Sequence, residues 1–169
     1  PALNIGSSTG AYVLTDRGSN ADGPNIVVGG STYGTKVFPA PGFAPTLRML
    51  NLANGVATVT GITPMFNEKG GKLTGLPLPV GTPGSSAEVA LNEALVALTS
   101  DPMGLDPEGI VFDKANNKLY ISDEYGPFII KVDATTGKIE ERFAPAIAGS
   151  TASKPVLPAV LNLRRANRG

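Results

Sequence analysis

The chain has no cysteine and no histidine. Without cysteine there is no disulfide framework and no thiolate metal site. Without histidine there is no Ser-His-Asp or Cys-His nucleophile, no His-ligated zinc and no phosphohistidine chemistry. Any catalysis by this chain therefore rests on carboxylates, Arg, Lys, Tyr, Ser or Thr. Charge of one sign is lacking too: 14 basic residues balance 14 acidic ones. Nothing supplies the basic surplus that a nucleic-acid backbone demands, so no nucleic acid is expected as a partner. No apolar run reaches the roughly 18 residues of a helical membrane span, so none is expected. Arg164, Arg165 and Arg168 crowd the last residues and read as a solvated end.

Glycine and proline are abundant, 21 and 15 of 169 residues. Both are costly inside helices, so their number argues for turns and strands. A hydrophobic content of 41% is nonetheless globular, and the length suffices for a core. Strand-like runs cover residues 10–15, 25–28 and 36–38, with a polar loop from Asp16 to Pro24 and a proline-rich turn from Pro39 to Pro45. Two further runs, Leu47–Leu52 and Val56–Ile62, flank Asn54-Gly55, the strongest short hairpin signal. Residues 63–84 read as a long ordered loop, a kind of segment that is usually functional. Ser85 to Leu98 is the helix candidate, with Ser85 or Ser86 as cap and Glu88 in the first turn. The same residues from Leu91 onward also permit a strand.

The segment Gly109–Phe143 has the clearest pattern. Ile110–Phe112, Lys118–Ser122, Phe128–Val132 and Lys138–Phe143 read as strands, separated by turns at Asn116-Asn117 and Thr135-Thr136-Gly137. Asp113 and Asp133 open the same strand-turn-strand grammar twenty residues apart, and Glu140-Glu141-Arg142 reads as a solvated strand edge. Four short antiparallel strands make a meander close to one propeller blade of about 40–45 residues. The expected fold is all-β: a partial β-propeller of four-stranded meander blades, with long Gly/Pro-rich loops and at most one short helix. Residues 1–169 are expected to form one incomplete domain of two to three blades. Blades need neighbours around a channel, so the remainder is expected in another chain or through self-assembly. The Gly169 end, with no closing strand, suggests a cut product.

Three polar segments place a carboxylate beside a glycine where a strand meets a loop: Thr15-Asp16-Arg17-Gly18, Asp106-Pro107-Glu108-Gly109 and Ser122-Asp123-Glu124-Tyr125-Gly126-Pro127. In a propeller such strand ends converge on one mouth of the channel. Converging carboxylates make a hard oxygen site suited to Ca²⁺ or Mg²⁺. Gly18, Gly109 and Gly126 are expected to supply positive φ at these turns. Asp22-Gly23-Pro24 and Asp113 read as turn residues rather than ligands. The Gly29–Gly34 run lacks a Walker Lys-Ser/Thr and a following helix, which excludes a nucleotide loop. A carboxylesterase would need an activated Ser, and with no histidine in this sequence its base would have to come from outside it.

The stretch GLDPEGIVFDKANNKLYISDEYGPFIIKVDATTGKIEERF, Gly104 to Phe143, resembles the phytase-like domain of esterase-like phytases. The family shows a DPEG segment, a strand, and then a (V/I)SDEYGP segment. The LTDRG run at Leu14–Gly18, followed by Asn20, is similar to the family's early motif, and GLPLP at Gly75–Pro79 looks like its loop ahead of DPEG. The family usually continues after Asn-Arg-Gly with a phenylalanine and another Glu-Gly segment, whereas this sequence stops at Gly169; a further carboxylate is then expected outside it. The resemblance implies a propeller, export to an extracellular or periplasmic location, and hydrolysis of phosphate esters or simple esters, with Ca²⁺ or another divalent cation as cofactor. A small phosphorylated substrate follows as the partner.

Phosphoester cleavage without histidine is chemically sound, because a divalent ion polarises the phosphoryl oxygen and acidifies a water while Arg grips the phosphate through paired hydrogen bonds. On this model Asp16, Glu108, Asp123 and Glu124 are the metal ligands or their immediate partners. Glu108 and Arg17 are the catalytic candidates, Arg17 being the phosphate clamp. Tyr125 either hydrogen-bonds substrate or packs at the rim. Asp123 and Glu124 are adjacent and point to opposite sides of the chain, so one of them ligates, and Glu124 is favoured. Each has a structural alternative: an Asx turn for Asp16, capping of backbone amides for Glu108 and Asp123, and an ion pair with any of these carboxylates for Arg17. The alternative for the whole molecule is a non-catalytic propeller module with a structural or cell-surface role.

Overall fold

The computed structural model describes residues 9–82, 85–126, 128–145 and 156–157. Arg164, Arg165, Arg168 and the Gly169 end lie outside them. The described chain forms eleven strands: β1 (Thr9–Leu14), β2 (Ala21–Val28), β3 (Ser31–Val37), β4 (Thr46–Ala53), β5 (Val56–Pro64), β6 (Val89–Leu91), β7 (Pro107–Asp113), β8 (Lys118–Asp123), β9 (Phe128–Asp133), β10 (Ile139–Pro145) and β11 (Val156–Leu157). They lie in three sheets, ordered β1-β4-β5, β2-β3-β6 and β11-β10-β9-β8-β7. The fold is thus all-β, in the manner of a partial propeller, with no helix among the described residues.

The meander from β7 to β10 is antiparallel throughout. Its strands alternate cleanly: Leu119, Ile121 and Asp123 of β8 are buried, as are Phe128, Ile130 and Val132 of β9. Alternation at period two puts these side chains on one face. There the apolar ones join Leu47, Met65, Leu73 and Leu105 in the main core. The turns repeat as the sequence suggests. Asp113 Oδ1 accepts the amides of Ala115 and Asn116, and Asp133 Oδ1 those of Thr135 and Thr136. The hairpin of β4 and β5 turns on Asn54 (φ 51°) and Gly55 (φ 75°), the left-handed pair that a two-residue turn requires.

Four expectations need correction. Ser85–Leu98 is not a helix: Val89–Leu91 adds to β3 as a parallel strand, and the chain then folds back with Leu91 bridged to Ala97. Asn92 Oδ1 takes the amides of Ala94 and Val96, offering the backbone a turn in place of a helical ladder. Asp22-Gly23-Pro24 lies inside β2, not in a turn, beside a register shift between Gly23 and Ile26 that tolerates the proline. Arg142 is not a solvated edge residue. A bulge between Ile139 and Glu141 changes the phase of β10, so Arg142 pairs with Ile130 on the core face while Glu140 stays exposed. Finally, Gly18 has positive φ (99°) but Gly109 and Gly126 do not; there Ser122 Oγ and the Phe128 ring fill the space of a side chain.

The long loop of residues 63–84 is ordered by burial, with Met65, Leu73 and Leu78 in the main core and Leu76 packed with Phe38 and Ala90 in a second one. It fixes the end of β1. Gly75 approaches Arg17 so closely that a Cβ there would sit 1.8 Å from the Arg17 carbonyl oxygen. Gly75→Ala is therefore expected to cost the upper part of the ~1–3 kcal/mol typical of overpacking, and more if the loop cannot shift. Urea denaturation measures this, and wild-type stability for the variant would refute the close approach.

Candidate metal and phosphate site

The three sheets meet at Arg17, directly after β1. Thr15 anchors that strand end by donating its amide to the Thr46 carbonyl and accepting the Thr46 amide on Oγ1. Arg17 Nη1 lies 3.1 Å from Glu88 Oε2, just before β6, and 3.1 Å from Asp106 Oδ2, just before β7. Its Nη2 donates to Asn20 Oδ1 at 3.3 Å. The guanidinium also faces two rings, 5.8 Å from the centroid of Phe38 and 5.4 Å from that of Tyr125. Each sheet thus supplies a group to one cation, which ties the sheet packing to the geometry of the site.

Asp16, Asp106 and Glu108 each bring one carboxylate oxygen to within 4.8 Å of the others. Asp16 and Glu108 are exposed and Asp106 is buried, at 2%. Asp106 precedes β7 and Glu108 stands at its second position, and their carboxylates converge on Asp16. Glu108 is also the extra residue of a bulge between Pro107 and Gly109. Glu124 interacts with Glu108 through its charge and by hydrogen bonding. The sequence thus brings Asp16, Glu108 and Glu124 together from three separate segments.

The electrostatics follow from crowding of like charge. The Asp106 carboxyl is pushed up to about 8 by burial first, then by the hydrogen bond its protonated form donates to Asp16 and by the charges of Asp16 and Glu124, against the pull of Arg17. Glu108 is raised as well, by lost hydration and then by Glu124 and Asp16. One Asp106 oxygen meets Arg17, while the other, Oδ1, is buried without a hydrogen-bond donor. A buried carboxylate oxygen left bare among other carboxylates favours either a proton or a cation. The donors are all hard oxygens, as calcium and magnesium require, so the residues present fit such an ion.

Asp123 and Tyr125 are placed differently from this group. The Asp123 side chain is wholly buried, and Oδ1 accepts the amides of Asp106 (2.9 Å) and Tyr125 (3.2 Å). It is not among the three clustered carboxylates. Glu124, by contrast, is exposed, as opposite directions for neighbours require. Tyr125 is 1% exposed, behind Arg17 and away from any rim, with its hydroxyl donated to the Gly75 carbonyl. Burial foremost raises its phenol above the ordinary range.

Sequence reasoning passed over two residues of the site. Asp106 was available from the Asp-Pro-Glu segment as a second carboxylate near Glu108, but the bulge between Pro107 and Gly109, across which the two converge, leaves no sequence mark. Glu88 carried no local signal: it reaches Arg17 because β6 pairs with β3, a contact remote in sequence.

No helix among the described residues is long and apolar enough to cross a membrane. A search of curated proteins and one of solved structures found no match. Residues 3–169, nearly the whole sequence and including all three motifs that build the site, match the family model described as "Phytase-like: Esterase-like activity of phytase", and the chain belongs to that phytase-like family.

Proposed function

We propose that this chain carries the site of an exported, calcium-dependent hydrolase of phosphate esters, acting on a small phosphorylated substrate in an extracellular or periplasmic setting. One observation carries the reading: a buried carboxylate, Asp106, has an oxygen without a donor amid Asp16, Glu108 and Glu124, in a chain of the phytase-like family. Asp16, Asp106, Glu108 and Glu124 would hold the ion. When bound, a divalent cation supplies a Lewis acid for the phosphoryl oxygen and acidifies water.

The chain's own groups do the rest. Glu108, an exposed carboxylate at the edge of the cluster, is suited to take a proton from the attacking water. Arg17 keeps positive charge at the inner wall and holds Asp106. Of its contacts to Glu88, Asp106 and Asn20 the one to Asn20 is longest, at 3.3 Å, so Nη2 is the atom a phosphate oxygen would capture. Tyr125 backs the guanidinium and keeps water from its inner face.

The test is phosphate release from phytate and from a chromogenic phosphate monoester by the full-length protein. Release is expected to stop on chelation and to return with added calcium. Release indifferent to chelator would remove the ion from the mechanism. No release under any condition would favour a non-catalytic propeller module.

A further inference from the structure

We propose that Asp123, held by Arg142, is a positioning residue that sets the spacing of the carboxylate site without ligating the ion; this rests on the cation-binding reading above. The two segments that carry most of the acids are residues 103–108 and 123–125. They are tied together by reciprocal bonds. The Asp106 amide donates to Asp123 Oδ1 at 2.9 Å, and the Glu124 amide donates to the Asp106 carbonyl at 2.8 Å. Asp123 Oδ1 also accepts the Tyr125 amide. One buried carboxylate therefore fixes the backbone on which Asp106 and Glu124 stand.

Asp123 is itself fixed. Its Oδ2 lies 3.4 Å from Arg142 Nη1, and Arg142 Nη2 donates to the Met103 carbonyl at 3.2 Å. The guanidinium lies over the Phe128 ring, 5.4 Å from its centroid. The bulge in β10 is what turns Arg142 to this face. Two amides and a guanidinium stabilise the charge of Asp123, a donor set that serves in place of an ion. Groups that orient ligands in this way typically change metal affinity about 10–100-fold when removed.

Arg142 makes the inference testable, because it is a cation. If it acted only by its charge, removing it would tighten calcium binding. If it positions, removing it weakens binding. Calcium titration by calorimetry on the full chain, with the fold monitored by circular dichroism, compares wild type, Arg142→Met, Asp123→Asn and Asp106→Asn. The expected result is weakening of about 10–100-fold for Arg142→Met and Asp123→Asn, with stoichiometry kept, and a larger loss for Asp106→Asn. Arg142→Lys, which keeps the charge but not the fork, replaces Arg142→Met should that variant not fold. Unchanged or tighter binding in the Arg142 variant, or loss in Asp123→Asn as complete as in Asp106→Asn, would overturn the assignment. Wild type that takes up no calcium sinks the cation reading instead. The tether is then read by amide hydrogen exchange in Asp123→Ala: exchange at Asp106 and Tyr125 is expected to quicken at least tenfold while the β8–β9 ladder stays protected, and unchanged exchange at those two amides refutes it.

Discussion

Asp106→Asn is expected to abolish chelator-sensitive phosphate release, by a factor of about a hundred or more, while making the metal-free protein more stable at alkaline pH. The first effect follows from removing the buried, partly bare carboxylate at the centre of the ion site. The second follows from linkage. The Asp106 carboxyl has an ordinary value of 3.8 and is raised to about 8 in the fold. Between those limits the folded chain keeps a proton that the unfolded chain has released. The stability Asp106 contributes is therefore complete below about pH 4 and falls as pH rises towards 8, by at most about 1.4 kcal/mol per pH unit. Asparagine does not titrate. Urea denaturation with chelator at pH 5, 7 and 9 should show the variant gaining on wild type between the first and last, and calcium at pH 9 should restore wild type alone. Parallel pH profiles for the two proteins would contradict the crowding of charge around Asp106.

Arg17→Met should be the most destabilising single change at the site. Arg17 is 12% exposed and pairs with Asp106, itself 2% exposed, and with Glu88. At pH 9, above the raised Asp106 value of about 8, breaking this buried pair by removing Arg17 costs about 3–5 kcal/mol, because the Asp106 charge stays buried and uncompensated. The two ring contacts go with it. Methionine retains much of the aliphatic bulk, so the loss reads charge more than volume. Denaturation of Arg17→Met, Asp106→Asn and the double variant forms a cycle. The double variant is expected to recover a large part of what Arg17→Met loses, since no buried anion at 106 is then left alone. Additive losses would mean that the ion pair with Asp106 contributes little and that the rings or Glu88 dominate.

The parts of the molecule that were legible in the sequence are those governed by neighbours along the chain. Leu119 and Ile121 alternate, Asn54-Gly55 turns, and Asp113 and Asp133 close Asx turns, all as composition and spacing suggest. Asp16, Glu108 and Glu124 were recognisable as candidates because each stands within two residues of a glycine at a strand end. Arg142 was misread because a single-residue bulge changes phase without leaving a sequence mark. Ser85–Leu98 was misread because its helical spacing is weaker than the turn Asn92 builds and the pairing β3 offers.

By itself, the sequence determined the all-β class, the meander, the family and the three acidic motifs, since these depend on residue type and short-range periodicity. Only the tertiary structure decided that Asp106 lies at the centre, that Asp123 faces away into a lattice of amides and Arg142, and that Glu88, Phe38 and Tyr125 enclose Arg17. Those outcomes depend on which sheet edges meet, and contacts between segments 70 or more residues apart are set by packing of the whole chain rather than by any local pattern.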